Sequence, residues 1–228
     1  MGTSSARRAP SSRLWRLAKA AATRYLAPEA AVPVAAGEVV ARYLAALNET
    51  AGVDAGALAA FRLTRKVAQN LGGLVSLAQS QGWPVALEAW GLADLAGQPP
   101  EALALGLSAA LAGPGGELEA VVARASLASV LMQGHEEPDP ARWVSGFLAT
   151  ALCQRLALDL GESLEAAAPG FRPLKGGLKG LQAWIEKSLA VLPLGPPPDP
   201  EHWRGLAGWL WVTSLLAGWL EQLMQSKK

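Results

Sequence analysis

Residues 95–127 read LAGQPPEALALGLSAALAGPGGELEAVVARASL, and the punctuation of this stretch decides the fold class. Pro99 and Pro100 lead into Glu101 and a run of Ala and Leu, and proline suits the first turn of a helix, where its missing N–H loses no partner. Apolar residues then recur every three or four positions, the period of one helical face. Gly113-Pro114-Gly115-Gly116 ends the run, and a second helix is predicted from 117 to 132, its Glu117 and Glu119 complementing the positive end of the helix dipole.

The same alternation of helix-length apolar runs and Gly/Pro breaks continues outward. On the N-terminal side, Trp83-Pro84 starts a shorter helix through Asp94, and one long helix is predicted over 54–81 with Arg62, Arg65 and Lys66 on its polar face. Gly72-Gly73 in its middle signals a packing contact or a kink. A short helix spans about 37–47, and residues 27–36, with Pro28 and Pro33, read as a linker. Ser11 or Ser12 can cap a helix over 13–26, where Leu14, Leu17, Ala18, Ala21 and Tyr25 recur at helical spacing. On the C-terminal side, Asp139 can cap a helix from 140 to about 160 with Trp143, Phe147, Ala151, Leu152 and Leu156 on one stripe. Gly161, Pro169, Gly170 and Pro173 read as a break before a helix over 174–192, and 193–200 is a stiff proline linker ahead of a last helix over 202–225. No fixed-period repeat argues for a solenoid. The expectation is an all-α helical bundle: a flexible leader 1–12, a basic helix and linker 13–35, a helical body 36–192, and a proline linker with a Trp-rich interface helix 193–228.

Composition supports that class. Of 228 residues 51% are hydrophobic and only 17% charged, far from the composition of a disordered chain, and nine Trp stand against three Phe and two Tyr in an Ala/Leu background that favours helix over strand. Residues 1–28 hold six basic residues, Arg7, Arg8, Arg13, Arg16, Lys19 and Arg24, and no acid, so a basic arm precedes a mildly acidic body. The apolar stretch 14–26 is interrupted by Arg16, Lys19 and Arg24, which disfavours a secretory leader, and a single cysteine, Cys153, forms no internal disulfide. A reducing bacterial cytoplasm is the expected location.

No catalytic, cofactor or metal constellation is expected. His135 and His202, the two histidines, lack company at ligand spacing, Cys153 sits on an apolar stripe, and Gly113–Gly116 has neither the strand nor the Lys-Ser/Thr of a phosphate loop. Two other features remain. Residues 205–220, GLAGWLWVTSLLAGWL, carry no charge but fall short of the roughly 20 residues that cross a bilayer. They read as a partner interface built on Trp203, Trp209, Trp211 and Trp219, with Gly205, Gly208 and Gly218 admitting a neighbouring helix; a homo-oligomer is one form of it. The second feature is the start, Met1-Gly2-Thr3-Ser4-Ser5. Methionine before a small residue is removable, and the glycine amine so exposed has a reference pKa near 8, leaving roughly a tenth nucleophilic at neutral pH. Ala6 disfavours myristoylation, which needs Ser or Thr there. The competing readings are a membrane-associated helical protein and a nucleic-acid-binding adaptor that uses the basic arm with Trp15 and Tyr25 for stacking.

The Gly-Thr-Ser start, the stretch 95–127 with its Pro-Gly-Gly turn and Ala-Arg-Ala helix, and residues 154–165, QRLALDLGESLE, together resemble QatB, a component of the bacterial Qat anti-phage defence system. With no catalytic constellation in the sequence a non-enzymatic subunit is expected, and the resemblance implies three partners: a P-loop ATPase, a QueC-like enzyme and a TatD-like nuclease. It further implies that the QueC-like enzyme joins a deazapurine to the amine of Gly2, with Thr3 and Ser4 as its recognition tail.

Overall fold

The computed structural model describes residues 12–27, 34–50, 56–133 and 138–225. Among these residues the chain forms nine α-helices and no strand: α1 Arg13–Leu26, α2 Ala36–Thr50, α3 Arg62–Gln81, α4 Trp83–Ala89, α5 Pro100–Ala112, α6 Leu118–Gln133, α7 Pro140–Ala167, α8 Phe171–Ala190 and α9 Leu206–Gln225. The all-α bundle expected from the spacing is what forms.

Helix α7 is the axis of the bundle. Asp139 caps it, its carboxylate accepting the Ala141 and Arg142 N–H groups at 3.0 and 3.3 Å, as the Asp-Pro start predicts. It packs against α1, α3, α6 and α8. The helix runs 28 residues, about 42 Å, straight through Gly161, where the sequence reading placed a break. Leu160 and Leu164 are fully buried on either side of that glycine, and anchoring of this kind outweighs the roughly 1 kcal/mol that glycine costs a helix.

Two further boundaries differ from expectation. The segment 54–81 is not one helix: a 3₁₀ turn over Ala57–Phe61 precedes α3, held by the Asn48 side chain accepting the Ala57 N–H at 3.0 Å and by buried Phe61. The helix begun at Trp83 stops after Ala89 because Gly91 takes a left-handed φ of 70°, letting the Leu92 N–H reach the Leu87 carbonyl at 2.8 Å in a Schellman-type closure. A short 3₁₀ turn over Ala93–Leu95 follows.

One hydrophobic core extends from Trp15 in α1 to Leu223 in α9. The basic helix is therefore part of the bundle: Trp15, Ala18, Ala21 and Ala22 are buried, while Arg13, Arg16 and Arg24 face outward. Helix α9 packs on α2 and α3. No helix among the described residues is long and apolar enough to cross a membrane.

Candidate functional site

The proline-rich stretch after α8 leads to a 3₁₀ turn over Pro200–His202 and then to Trp203, which the sequence reading placed inside the last helix. The chain turns there instead and drives the indole into the body. Trp203 is completely buried, its ring lying over Gly72 of α3, where no side chain would fit, and its Cβ beside Gly73, which the Trp90 ring also covers. The buried Gln69 amide donates to the carbonyls of Trp203 and Gly205, both at 2.7 Å, and its own oxygen accepts from Lys66 at 3.1 Å. A buried carboxamide satisfied at both ends stabilises the turn that an unpaired one would disrupt. Gly72-Gly73 is thus the packing contact that the sequence offered as one of two readings, and α3 continues through it without interruption.

Aromatic contacts extend this anchor. Trp211 meets the Trp203 ring edge-on at 5.3 Å and donates its indole N–H to the Gly195 carbonyl at 3.2 Å, fastening the proline linker. The guanidinium of Arg204 lies 4.1 Å from the Trp90 ring, and that of Arg65 lies 4.6 Å from Trp209 while donating to Thr213 at 3.1 Å. Of the four tryptophans expected at a partner interface, Trp203 and Trp219 are covered by the chain's own helices, at 0% and 3% exposure, whereas Trp209 and Trp211 are half-buried. Gly208 makes room for the Trp203 backbone rather than for another molecule. What α9 leaves on the surface is a stripe at intervals of four, Leu206, Leu210, Ser214 and Gly218, with Leu206 70% and Leu210 52% exposed. Sequence reasoning singled out the tryptophans and missed these leucines, because which side of the helix the body covers is set by α2 and α3.

Four polar residues of the two segments that carry the family resemblance, Glu119, Arg124, Arg155 and Asp159, are engaged with the chain itself. Arg155 donates to Asp159 at 2.8 Å and to the Ala60 carbonyl at 3.2 Å, and Tyr43 of α2, fully buried, donates its hydroxyl to the same Asp159 oxygen at 2.9 Å. Burial, then the Asp159 charge, pushes the Tyr43 phenol well above its ordinary value, with Arg155 opposing. Glu119 of α6 accepts the Thr64 N–H at 3.0 Å at the start of α3, a terminus with no capping side chain of its own. Burial raises its carboxyl pKa, against the pull of the Thr64 and Leu63 amides and of Arg155 and Arg65. Arg124, the arginine of Ala-Arg-Ala, donates to the Gly113 carbonyl at 2.6 Å and so closes the end of α5 at the Pro-Gly-Gly turn.

Cys153 is not activated: burial, and next the Glu186 charge, push its thiol up to about 12. Among the described residues no group of His, Cys, Asp and Glu could hold a metal ion. His135 lies outside the described residues, as do Gly2, Thr3 and Ser4. The nucleic-acid reading loses one of its aromatics: Trp15 is 3% exposed, its indole N–H donating to Thr50 at 2.6 Å and its ring edge-on to Tyr43 at 5.9 Å, so it is not free to stack on a base. Ser12 accepts the Trp15 N–H at 3.4 Å as the helix cap and donates to the Glu49 carboxylate, which ties the start of α1 to α2.

Compared with known proteins, residues 52–190, more than half of the chain, match the family model described as Qat anti-phage system associated protein QatB. No curated protein and no solved structure matches it.

Proposed function

The chain belongs to the QatB family, a component of the Qat anti-phage system, and from that premise we propose that it is a non-enzymatic subunit that assembles defence enzymes around a rigid helical body and offers its N-terminal glycine to one of them. The observation that carries this reading is the use of polar side chains in the family-matched segments. Glu119, Arg124, Arg155 and Asp159 hold helix ends and a partly buried ion pair rather than converging on an open cavity. A family whose chemistry-bearing residues brace a scaffold acts through what the scaffold presents.

Two elements are presented. The uncharged outer stripe of α9, Leu206, Leu210, Ser214 and Gly218, is the docking face for the P-loop ATPase. The leader begins at a fixed point, since Ser12 and Trp15 are bonded to α2. From Ser12 a fully extended leader reaches at most roughly 35 Å, so a QueC-like enzyme acting on Gly2, with Thr3 and Ser4 as its recognition tail, works within that distance of the α1–α2 end of the bundle. The TatD-like nuclease completes the set, and the assembly acts in the bacterial cytoplasm.

A plaque assay in cells carrying the complete set of neighbouring genes tests this. Gly2→Pro makes the amine secondary, and Gly2→Trp blocks methionine removal; each abolishes protection with helical content by circular dichroism unchanged. Full protection by both variants contradicts the reading.

A further inference from the structure

An open groove of about 380 Å³ runs between α7 and the N-terminal half of α8, walled by Leu156, Ala157, Leu174, Leu178, Leu181 and Ile185. Its existence follows from how α8 is held. The buried residues of that helix, Leu181, Ile185 and Leu189, all lie in its C-terminal half, and Phe171 at its start is 75% exposed. The N-terminal half is fastened from the other side. Leu26 and Tyr25 of α1 press on Gly177 and Gly180, where an added Cβ would have no room, and the Tyr25 hydroxyl donates to the Gly177 carbonyl at 3.3 Å. Clamped there by α1, α8 holds Leu174 and Leu178 over a space on α7 that no part of the described chain fills.

The charged residues that line the groove are basic, while Glu186, whose charge reaches the lining Cys153, stands at its far end. Lys175 and Lys179, both exposed, line it and no carboxylate does. Standing at i and i+4, they lie on one face of α8 about 6 Å apart along the axis. The nearest acid further along α8, Glu186, accepts a hydrogen bond from Gln182 at 2.8 Å. We propose that this groove is a docking site for an amphipathic helix of a partner protein, whose apolar stripe fills the channel while two carboxylates one turn apart meet Lys175 and Lys179. The chain's own leader is the wrong occupant, because it brings Arg7 and Arg8 and no acid to a basic rim. A bilayer is also disfavoured, since the apolar walls are recessed between two helices and a flat surface does not reach them.

The test uses the full-length protein and two fluorescein-labelled helical peptides with the same leucine stripe, one flanked by Glu at i and i+4 and its twin by Lys. Fluorescence anisotropy is expected to show the Glu peptide binding about tenfold more tightly, through ion pairs gained and repulsion avoided. Lys175→Glu with Lys179→Glu reverses the preference, a result that misfolding does not mimic. Ala157→Trp, which fills the channel, removes binding of the Glu peptide. Equal binding of the two peptides, or binding indifferent to Ala157→Trp, overturns the proposal. So do at least tenfold tighter binding once residues 2–11 are deleted, which makes the leader the occupant, and a wild-type dimer in sedimentation velocity that Ala157→Trp dissolves, which makes it a second copy. Flotation with anionic vesicles that the Lys175→Glu/Lys179→Glu variant loses, in the absence of peptide binding, assigns the surface to a membrane and likewise overturns it.

Discussion

The indole of Trp203 occupies the space in which Gly72 would carry a side chain, so a residue beyond the proline linker and the middle of α3 form one packing unit. The C-terminal helix belongs to the fold through this contact, and its outer stripe is presented at a defined angle because its inner side is seated.

Gly72→Ala therefore forces Trp203 out of place. Overpacking of this kind costs about 1–3 kcal/mol, and urea unfolding followed by tryptophan fluorescence is expected to show it. Gly218→Ala serves as the comparison: nothing lies within 4 Å of the added Cβ, so the change is neutral or stabilising by up to about 1 kcal/mol, the ordinary preference of a helix for alanine. Equal losses for both substitutions contradict the assigned packing.

A second expectation concerns Tyr43, Asp159 and Arg155. Tyr43→Phe leaves the Asp159 carboxylate with Arg155 alone and costs about 1.5–3 kcal/mol near neutral pH, the range for a hydrogen bond to a charged group. The pH dependence has a definite sign. Because the folded phenol is raised above 10.0, the fold binds its proton more tightly than the unfolded chain does, so its contribution is fully present below pH 10 and is lost as the pH rises toward the folded value. Alkaline denaturation of Tyr43→Phe is thus expected to be shallower above pH 10 than that of the wild type. Identical profiles contradict the assignment.

The stripe on α9 gives a third. Leu206→Glu with Leu210→Glu alters two exposed side chains and leaves stability within about 0.5 kcal/mol per site, yet co-purification of the ATPase with the tagged protein is expected to fail. Trp209→Asp and Trp211→Asp, by contrast, lower stability as well, since each tryptophan also holds Arg65 or the Gly195 carbonyl. Retention of the ATPase by the double leucine variant removes α9 as its docking face.

What the sequence made legible was local. Ser12 and Asp139 act as the caps their positions suggest, Pro100 opens α5, and the Pro-Gly-Gly turn separates α5 from α6, because each depends on chemistry within a few residues. Gly161 reads as a break in the sequence, but tertiary burial of Leu160 and Leu164 overrides that weak propensity. The turn at Trp203 is not legible locally, because it depends on Gln69, a partner more than a hundred residues away. The same holds for the surface: spacing showed that α9 is apolar all round, but only the packing of α2 and α3 shows that Trp203 and Trp219 face inward and Leu206 and Leu210 outward.

The central proposal, that Gly2 is an acceptor, requires a free amine on that glycine, and intact-mass spectrometry with N-terminal peptide mapping tests it most directly. The protein is co-expressed with its neighbouring genes, purified, and compared with Gly2→Pro and with wild type expressed alone. The account predicts loss of Met1 and an added mass on the Gly2 amine that appears only for wild type in the presence of the QueC-like enzyme. An unmodified Gly2 in wild-type protein taken from cells that are resisting phage contradicts it.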